Sequence, residues 1–191
     1  MSQDITLEQA VAHVPSPGDQ HFKPFEASAE IEALADERIS HYPVSKLSAV
    51  LPLLHIVQHH FGYISKEAIS WVANKLEIEP IKVLSVVTFY PGFRQVAPGK
   101  FHYRVCRTLS CAMAGSYELM DKICEITGID RSTLSHDNPI AVSPCGNYSV
   151  EFAECLASCG SAPVCLVNDD FHENISPDDA KSFVEKTSAQ S

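Results

Sequence analysis

Positive charge is in short supply: 14 Lys and Arg against 24 Asp and Glu leave a net charge of -10. With no polybasic run in so acidic a chain, phosphate backbones and anionic headgroups are repelled, which argues against nucleic acid and against direct lipid binding. Long apolar runs are missing too. The longest, around Leu47 to Val57 and Val83 to Phe93, reach about half of the ~20 residues that span a bilayer, and polar residues or proline interrupt both. No direct membrane insertion is expected, so a partner must supply any attachment to a membrane. The opening segment MSQDITLEQAVAHVP has neither the basic and apolar regions of a secretory signal nor the Arg-rich, acid-poor composition of a transit peptide. No G-x-G-x-x-G follows a strand-like segment and no P-loop occurs, so no nucleotide site is expected on this chain. The C-x-x-C of a dithiol oxidoreductase is absent as well.

What is present fits a folded protein of one large or two small domains, with 191 residues and 45% hydrophobic content. Residues 1–27, with Pro15, Pro17, Gly18 and Pro24 among polar neighbours, read as a flexible arm that orders against a partner. Residues 28–97 read as a helical bundle. Ile31, Leu34, Ala35 and Ile39 recur at helical spacing up to His41, before Pro43; Ser45 stands as an N-cap before Leu47, Val50, Leu51 and Leu54, with Pro52 expected to kink that run or make two helices of it and Gly62 to end it. Ser65 opens a third helix through Leu76, and Pro80 a fourth through Tyr90, stopped by Pro91-Gly92. Residues 98–191 read as an α/β unit: a strand over Phe101–Val105, a helix from Met113 to Ile126 ended by Gly128, a hairpin of Ile140–Val142 with Val150–Phe152, and a final strand over Pro163–Val167. Ser176-Pro-Asp-Asp then has the capping-box form and opens a terminal helix through Phe183 and Val184. The fold class is α+β.

Seven cysteines, an odd number without a secretory signal, point to metal or redox chemistry in preference to a disulfide framework. Cys106 and Cys111 form a C-x4-C pair just after a strand, and Cys155 and Cys159 form a C-x3-C pair much later in the chain. Four soft thiolates suit an iron–sulfur cluster or structural zinc. Zinc knuckles favour C-x2-C on both sides, whereas a C-x4-C loop is wide enough to wrap a cluster edge and aim backbone amides at its sulfurs, so the spacing favours a cluster over a zinc-binding interaction module. Cys124, on an apolar helix face, and Cys165, in an apolar strand, read as small buried hydrophobes. Cys145, in a Pro-Cys-Gly turn, reads as an exposed thiol and not as a ligand.

His55 and His59 stand at i, i+4 beside His60, but the glutamate of an H-E-x-x-H helix is missing, and a polar helix edge or a partner contact is the better reading. Phe89, Tyr90 and Phe93 read as core residues fixing the join between bundle and α/β domain.

The segments YPVSKLSAVLPLLHIVQHHFGYIS, VLSVVTFYPGF, HYRVCRTLSCAMAGS and VEFAECLASCGSAPVCLVNDDFHENISPDD together resemble the small 2Fe-2S subunit, of the 24-kDa type, of NADH:quinone oxidoreductase, respiratory complex I. The resemblance covers nearly the whole chain after residue 28. It implies a helical N-terminal domain joined to a thioredoxin-like 2Fe-2S ferredoxin domain, with one 2Fe-2S cluster held by Cys106, Cys111, Cys155 and Cys159. The stretch LSHDNPIAVSPCGNYSVEF is longer than the family usually has there, and is expected to extend the hairpin without changing the ligands.

The resemblance further implies an electron-transfer subunit that is not catalytic alone but works within an oxidoreductase complex. FMN and NADH would lie on a partner subunit in direct contact, and the larger peripheral arm of the complex would hold the chain on the cytoplasmic face of the inner membrane. The cluster would take single electrons from the flavin at a position off the main electron route. Similar subunits occur in NAD-linked hydrogenases and formate dehydrogenases. Arg104, Arg107, Thr108 and Ser110 are the nearby candidates to tune its potential.

Overall fold

Helix α1, Ala29–Ser40, starts where Ser28 turns extended and its Oγ accepts the Ile31 amide at 3.3 Å. The computed structural model describes residues 25–136 and 138–189, so the arm read over residues 1–27 falls outside it as far as residue 24. Phe25, assigned to that arm from the sequence, belongs to the fold: its ring lies 4.9 Å from Phe61 and 5.6 Å from Trp71. The chain divides into two compact units that meet in sequence at Ala97 and Pro98.

The first unit is helical. A 3-10 turn over Lys46–Ala49 precedes α2, Val50–Phe61, which Gly62 ends with a φ of 80°. The run is therefore divided ahead of Pro52, between Ala49 and Val50, and Pro52 kinks no helix. It lies in the first turn of α2, where a backbone amide has no intrahelical acceptor to lose. Ser45 occupies the cap position of the 3-10 turn but makes no side-chain bond to it. Helix α3, Lys66–Leu76, is capped by Ser65, whose Oγ accepts from the Ala68 amide at 3.2 Å, and α4, Pro80–Phe89, begins on its proline. The stripes meet in one core containing Leu53, Leu54, Val57, Ile69, Val72 and Val83, all essentially without solvent contact. Burying each such aliphatic side chain contributes about 2 kcal/mol. Lys75 ties α3 to α1, reaching Glu32 at 2.5 Å and Asp36 at 2.6 Å, while the Trp71 indole donates to Glu32 at 2.7 Å. Of the three aromatics read as core, Phe93 is buried, but Phe89 is 76% exposed and Tyr90 41%. Phe89 is the last residue of α4 and lies off the stripe of Val83, Leu84 and Val87 that the helix buries, on the face of exposed Lys82 and Ser85.

The second unit is a five-stranded mixed sheet in the order β2-β3-β1-β4-β5. Strand β1 is Phe101–Cys106, β2 Ile140–Val142, β3 Tyr148–Ala153, β4 Cys165–Val167 and β5 Asp170–His172. The central pair, β1 and β3, is parallel, with Cys106 opposite Ala153, and the other pairs are antiparallel. A parallel pair needs a long crossover, supplied here by α5, Leu109–Met113, and α6, Ser116–Thr127, followed by β2. The helix expected from Met113 to Ile126 thus begins at Ser116, and Met113 ends the separate short helix α5. Gly115, at a φ of 96°, separates them in a conformation that side-chain-bearing residues seldom adopt. Strand β5 lies beyond Pro163–Val167, which the sequence pattern makes the last strand; Asn168, at a φ of 55°, turns the chain back after β4. A 3-10 turn over Pro177–Asp179, capped by Ser176, leads into α7, Ala180–Ala189.

Phe101, Tyr103 and Val105 alternate onto the face that meets Leu119, Met120 and Ile123 of α6 and Phe183 of α7. The Tyr103 hydroxyl, deep in this core, bonds to Thr187 Oγ1 at 2.8 Å. On alternate residues, Ser149 Oγ and Glu151 Oε2 flank the His102 ring at 2.8 and 2.9 Å. Ser149 and His102 are fully buried, and Ser149 Oγ also accepts the Gly99 amide at 2.8 Å, so this chain of polar groups fastens the parallel strands to each other.

Candidate iron–sulfur site

Cys106 is the last residue of β1, held on both flanks: its amide donates to Val164 O at 3.1 Å, and the Arg107 amide donates to Ala153 O at 3.0 Å. Cys111 lies one short loop further on, in α5, and the two buried thiols sit together with Val164, Leu156 and Ala162 around them. Cys155 leaves the end of β3, the parallel neighbour, and Cys159 opens a 3-10 turn over Cys159–Ser161; both are exposed. The Cys155 sulfur accepts the Ala157 amide of its own loop at 3.3 Å. The structure therefore brings Cys106 and Cys111 into contact, sets Cys159 within electrostatic reach of Cys111, and keeps Cys155 on its own loop. Among the described residues, no three Cys, His, Asp or Glu side chains stand close enough to share one ion.

The surroundings favour thiolate at Cys106 and the neutral thiol at Cys111. Burial opposes ionisation of Cys106, yet the amides of Thr108 and Leu156, the Cys111 thiol and the Thr108 hydroxyl outweigh it and hold the pKa below the ordinary thiol value. Burial pushes Cys111 up, and the neighbouring Cys106 adds to this, against the amide of Val164. Amides aimed at sulfur, and four thiols free of disulfides at one end of two adjacent strands, are what a cluster-binding pocket requires of the protein. Of the four tuning candidates, Thr108 faces Cys106. Arg107 instead pairs with Glu154, linking the loop between Cys106 and Cys111 to the residue before Cys155, and its guanidinium pKa is raised by that carboxylate. Arg104 lies in β1 between Glu151 of β3 and Leu166 of β4, and Ser110 lies in α5, its carbonyl accepting the Ala114 amide.

The other cysteines separate by environment. Cys124 and Cys165 are buried, and burial pushes Cys124 up to about 11 and Cys165 higher still. Cys145 is exposed at the β2–β3 turn, where the Ser143 hydroxyl at 3.3 Å and the Asn147 amide lower its pKa. In the cluster-free chain at mildly alkaline pH, Cys124 is therefore expected to alkylate about 100-fold more slowly than Cys145. Per-residue mass spectrometry would read this, and equal rates would contradict it. His59 and His60 meet edge to face at 5.5 Å, but His55 packs 4.9 Å from the Phe93 ring and His60 Nδ1 bonds to Ile56 O at 2.8 Å, and among the described residues the histidines form no group of three that could hold a metal.

Comparison with known proteins agrees with this geometry. The family model of the thioredoxin-like [2Fe-2S] ferredoxin matches residues 35–188. NADH-quinone oxidoreductase subunit 2 of Thermus thermophilus is 40% identical over 136 residues, 71% of each chain. The E-type subunit of the NADH-quinone oxidoreductase of Rickettsia bellii is 35% identical over 156 residues, 81% of this chain and 89% of the relative. Its counterpart of the same name in Aquifex aeolicus is 34% identical over 146 residues, 76% and 86%. Among solved structures, an NAD+-reducing [NiFe]-hydrogenase in the H2-reduced state shares the fold, with a TM-score of 0.59 at 18% identity over 74% of this chain and 22% of that chain. A match over residues 35–188, well over half of the chain, together with relatives aligned over most of their own length, shows that the chain belongs to the thioredoxin-like [2Fe-2S] ferredoxin family.

Proposed function

We propose that this chain is an electron-transfer subunit of an NADH:quinone oxidoreductase. It holds one 2Fe-2S cluster on Cys106, Cys111, Cys155 and Cys159 and exchanges single electrons with the FMN of a partner, NADH-oxidising subunit. The observation that carries the reading is the placement of the two cysteine pairs on loops that leave the same end of the parallel strands β1 and β3. A structural zinc ion needs four thiolates at about 2.3 Å from a single point. Two irons need only two thiolates each, which suits a buried pair and an exposed pair on separate loops.

When bound, the cluster supplies a one-electron site and no hydride chemistry. The chain's own part is electrostatic and steric. Thr108, Leu156 and Val164 turn N–H dipoles toward the first pair and favour added negative charge there. Val164 and Leu156 keep water from the buried thiols, while the exposed second pair faces outward, the side from which a partner can approach. Arg107 and Glu154 hold the two loops at one edge. Among the described residues no helix is long and apolar enough to cross a membrane, so the proposed place on the cytoplasmic face of the inner membrane is a peripheral one, reached through the complex. The named relatives, at 34–40% identity, favour the quinone-linked assembly, whereas the hydrogenase likeness, at 18%, is one of fold.

Anaerobic purification with metal analysis and an EPR spectrum after dithionite reduction tests the reading. About two irons per chain and a rhombic reduced signal are expected. Stoichiometric zinc without a visible chromophore would end it.

A further inference from the structure

The loop that presents Cys159 has few anchors of its own. Between the end of β3 and the start of β4 it forms no strand, Ala157 takes a φ of 58°, and Cys159 and Gly160 are exposed. Its internal bonds include the Ala157 amide to the Cys155 sulfur at 3.3 Å and, to Ser158 O, the Ser161 amide at 3.2 Å and the Ser161 hydroxyl at 3.3 Å. The residues flanking Cys159 and Gly160 are both serines, and their hydroxyl oxygens lie 2.7 Å apart. Both reach the same carboxylate oxygen of Glu173, Ser158 at 2.6 Å and Ser161 in a shorter contact. Glu173 follows β5 directly, and the next two residues pair with the loop through the backbone: the Asn174 amide donates to Ser161 O at 2.8 Å and the Ile175 amide to Pro163 O at 3.1 Å. A carboxylate can only accept, so the two hydroxyl protons that point at it fix both serine rotamers and the backbone between them.

We propose that Glu173 is the positioning residue of the second cysteine pair, bracketing Cys159 through Ser158 and Ser161 so that its thiol is presented at one fixed place. The assignment of Cys159 as a ligand rests on the function proposed above; the bracket itself rests on these contacts alone. The two hydroxyls hold the Glu173 carboxyl below the usual carboxylate range, which keeps it an acceptor. Without the bracket, the loop would still be tied by the 174 and 175 amides but would lose the hold on either side of Cys159.

The test uses Glu173→Ala, Glu173→Gln and the double variant Ser158→Ala with Ser161→Ala in the full chain. Deuterium labelling of the backbone amides of residues 157–162 is followed in the cluster-free protein, with β1 as internal reference. Loss of two hydrogen bonds to a charged group is expected to raise labelling of that segment about tenfold in Glu173→Ala and in the double variant. Glu173→Gln, which keeps an acceptor oxygen, stays near wild type. In the loaded protein, Glu173→Ala broadens the reduced EPR signal and Glu173→Gln leaves its width unchanged. Unchanged labelling together with an unchanged EPR signal in Glu173→Ala would overturn the proposal. Should the wild-type chain carry no cluster at all, the ligand assignment fails, while the labelling comparison still decides whether Glu173 holds the loop.

Discussion

Cys106→Ser and Cys155→Ser are each expected to bring iron from about two per chain to near zero, with loss of the visible chromophore, while Cys145→Ser keeps both. A serine hydroxyl does not ionise near neutrality and is a poor ligand for the metals that thiolates hold. The loss should be more complete at position 106. Cys106 is buried and flanked by Cys111 and Val164, which leaves no room for water to take the missing ligand's place. Cys155 is exposed, so solvent has access and the residual iron, if any, should be found there. Cys145 precedes β3 and Cys155 follows it, which puts the length of a six-residue strand, about 20 Å, between them. Metal analysis and absorption spectra of the three purified variants read the outcome. Full cluster content in both Cys106→Ser and Cys155→Ser would remove the four-cysteine assignment.

Gly99→Ala is expected to be among the most damaging substitutions outside the ligand set. A Cβ on Gly99 would stand 2.6 Å from the Tyr148 carbonyl carbon and 2.8 Å from the Asn147 carbonyl carbon and oxygen. These are backbone atoms at the start of β3, so no rotamer change relieves the clash. Moving them would also break the Gly99 amide bond to Ser149 and disturb the Ser149–His102 contact that fastens the parallel strands. We expect a loss of about 2–4 kcal/mol in urea unfolding. Gly92→Ala provides the contrast: its Cβ would meet nothing within 4 Å, and the change should stay within about 0.5 kcal/mol. Equal stability of the two variants would show that the approach of Gly99 to β3 is not held in solution.

The bundle is legible in the sequence because its signals are local. Ser28 and Ser65 cap the helices that begin after them, Gly62 and Gly128 end theirs in the left-handed region, and Ala68, Ile69, Val72, Ala73 and Leu76 all turn inward. Signals that depend on position within an element mislead. Pro52 breaks a helix in its middle and starts one in its first turn, and the sequence does not say where that first turn falls. Gly115 splits a helix whose apolar residues run through it. Strand β5, with Asp170 and His172 in it, has no strand composition; pairing with β4 defines it. The site divides in the same way. The cysteine pairs stand out by spacing, and Cys124 and Cys165 are buried, as their apolar surroundings in the sequence imply. The amides of Leu156 and Val164 and the Glu173 carboxylate leave no mark, because backbone donors are the same for every residue and an acidic residue after an exposed strand is ordinary.

The parallel pairing of β1 and β3 separates two kinds of distance. Both cysteine-bearing loops leave the same end of neighbouring strands, so their spacing in the folded protein is set by the gap between two hydrogen-bonded strands. The number of residues joining them does not enter. The β2–β3 turn lies at the opposite end, because β2 runs antiparallel to β3 from Ile140, opposite Glu151, to Val142, opposite Ser149, so chain can be added or removed in that turn without stretching the end that carries the two cysteine pairs. The β2–β3 turn that carries Cys145 sits on this tolerant stretch, which makes it a natural anchor for a spectroscopic label reporting on the cluster from a fixed remove.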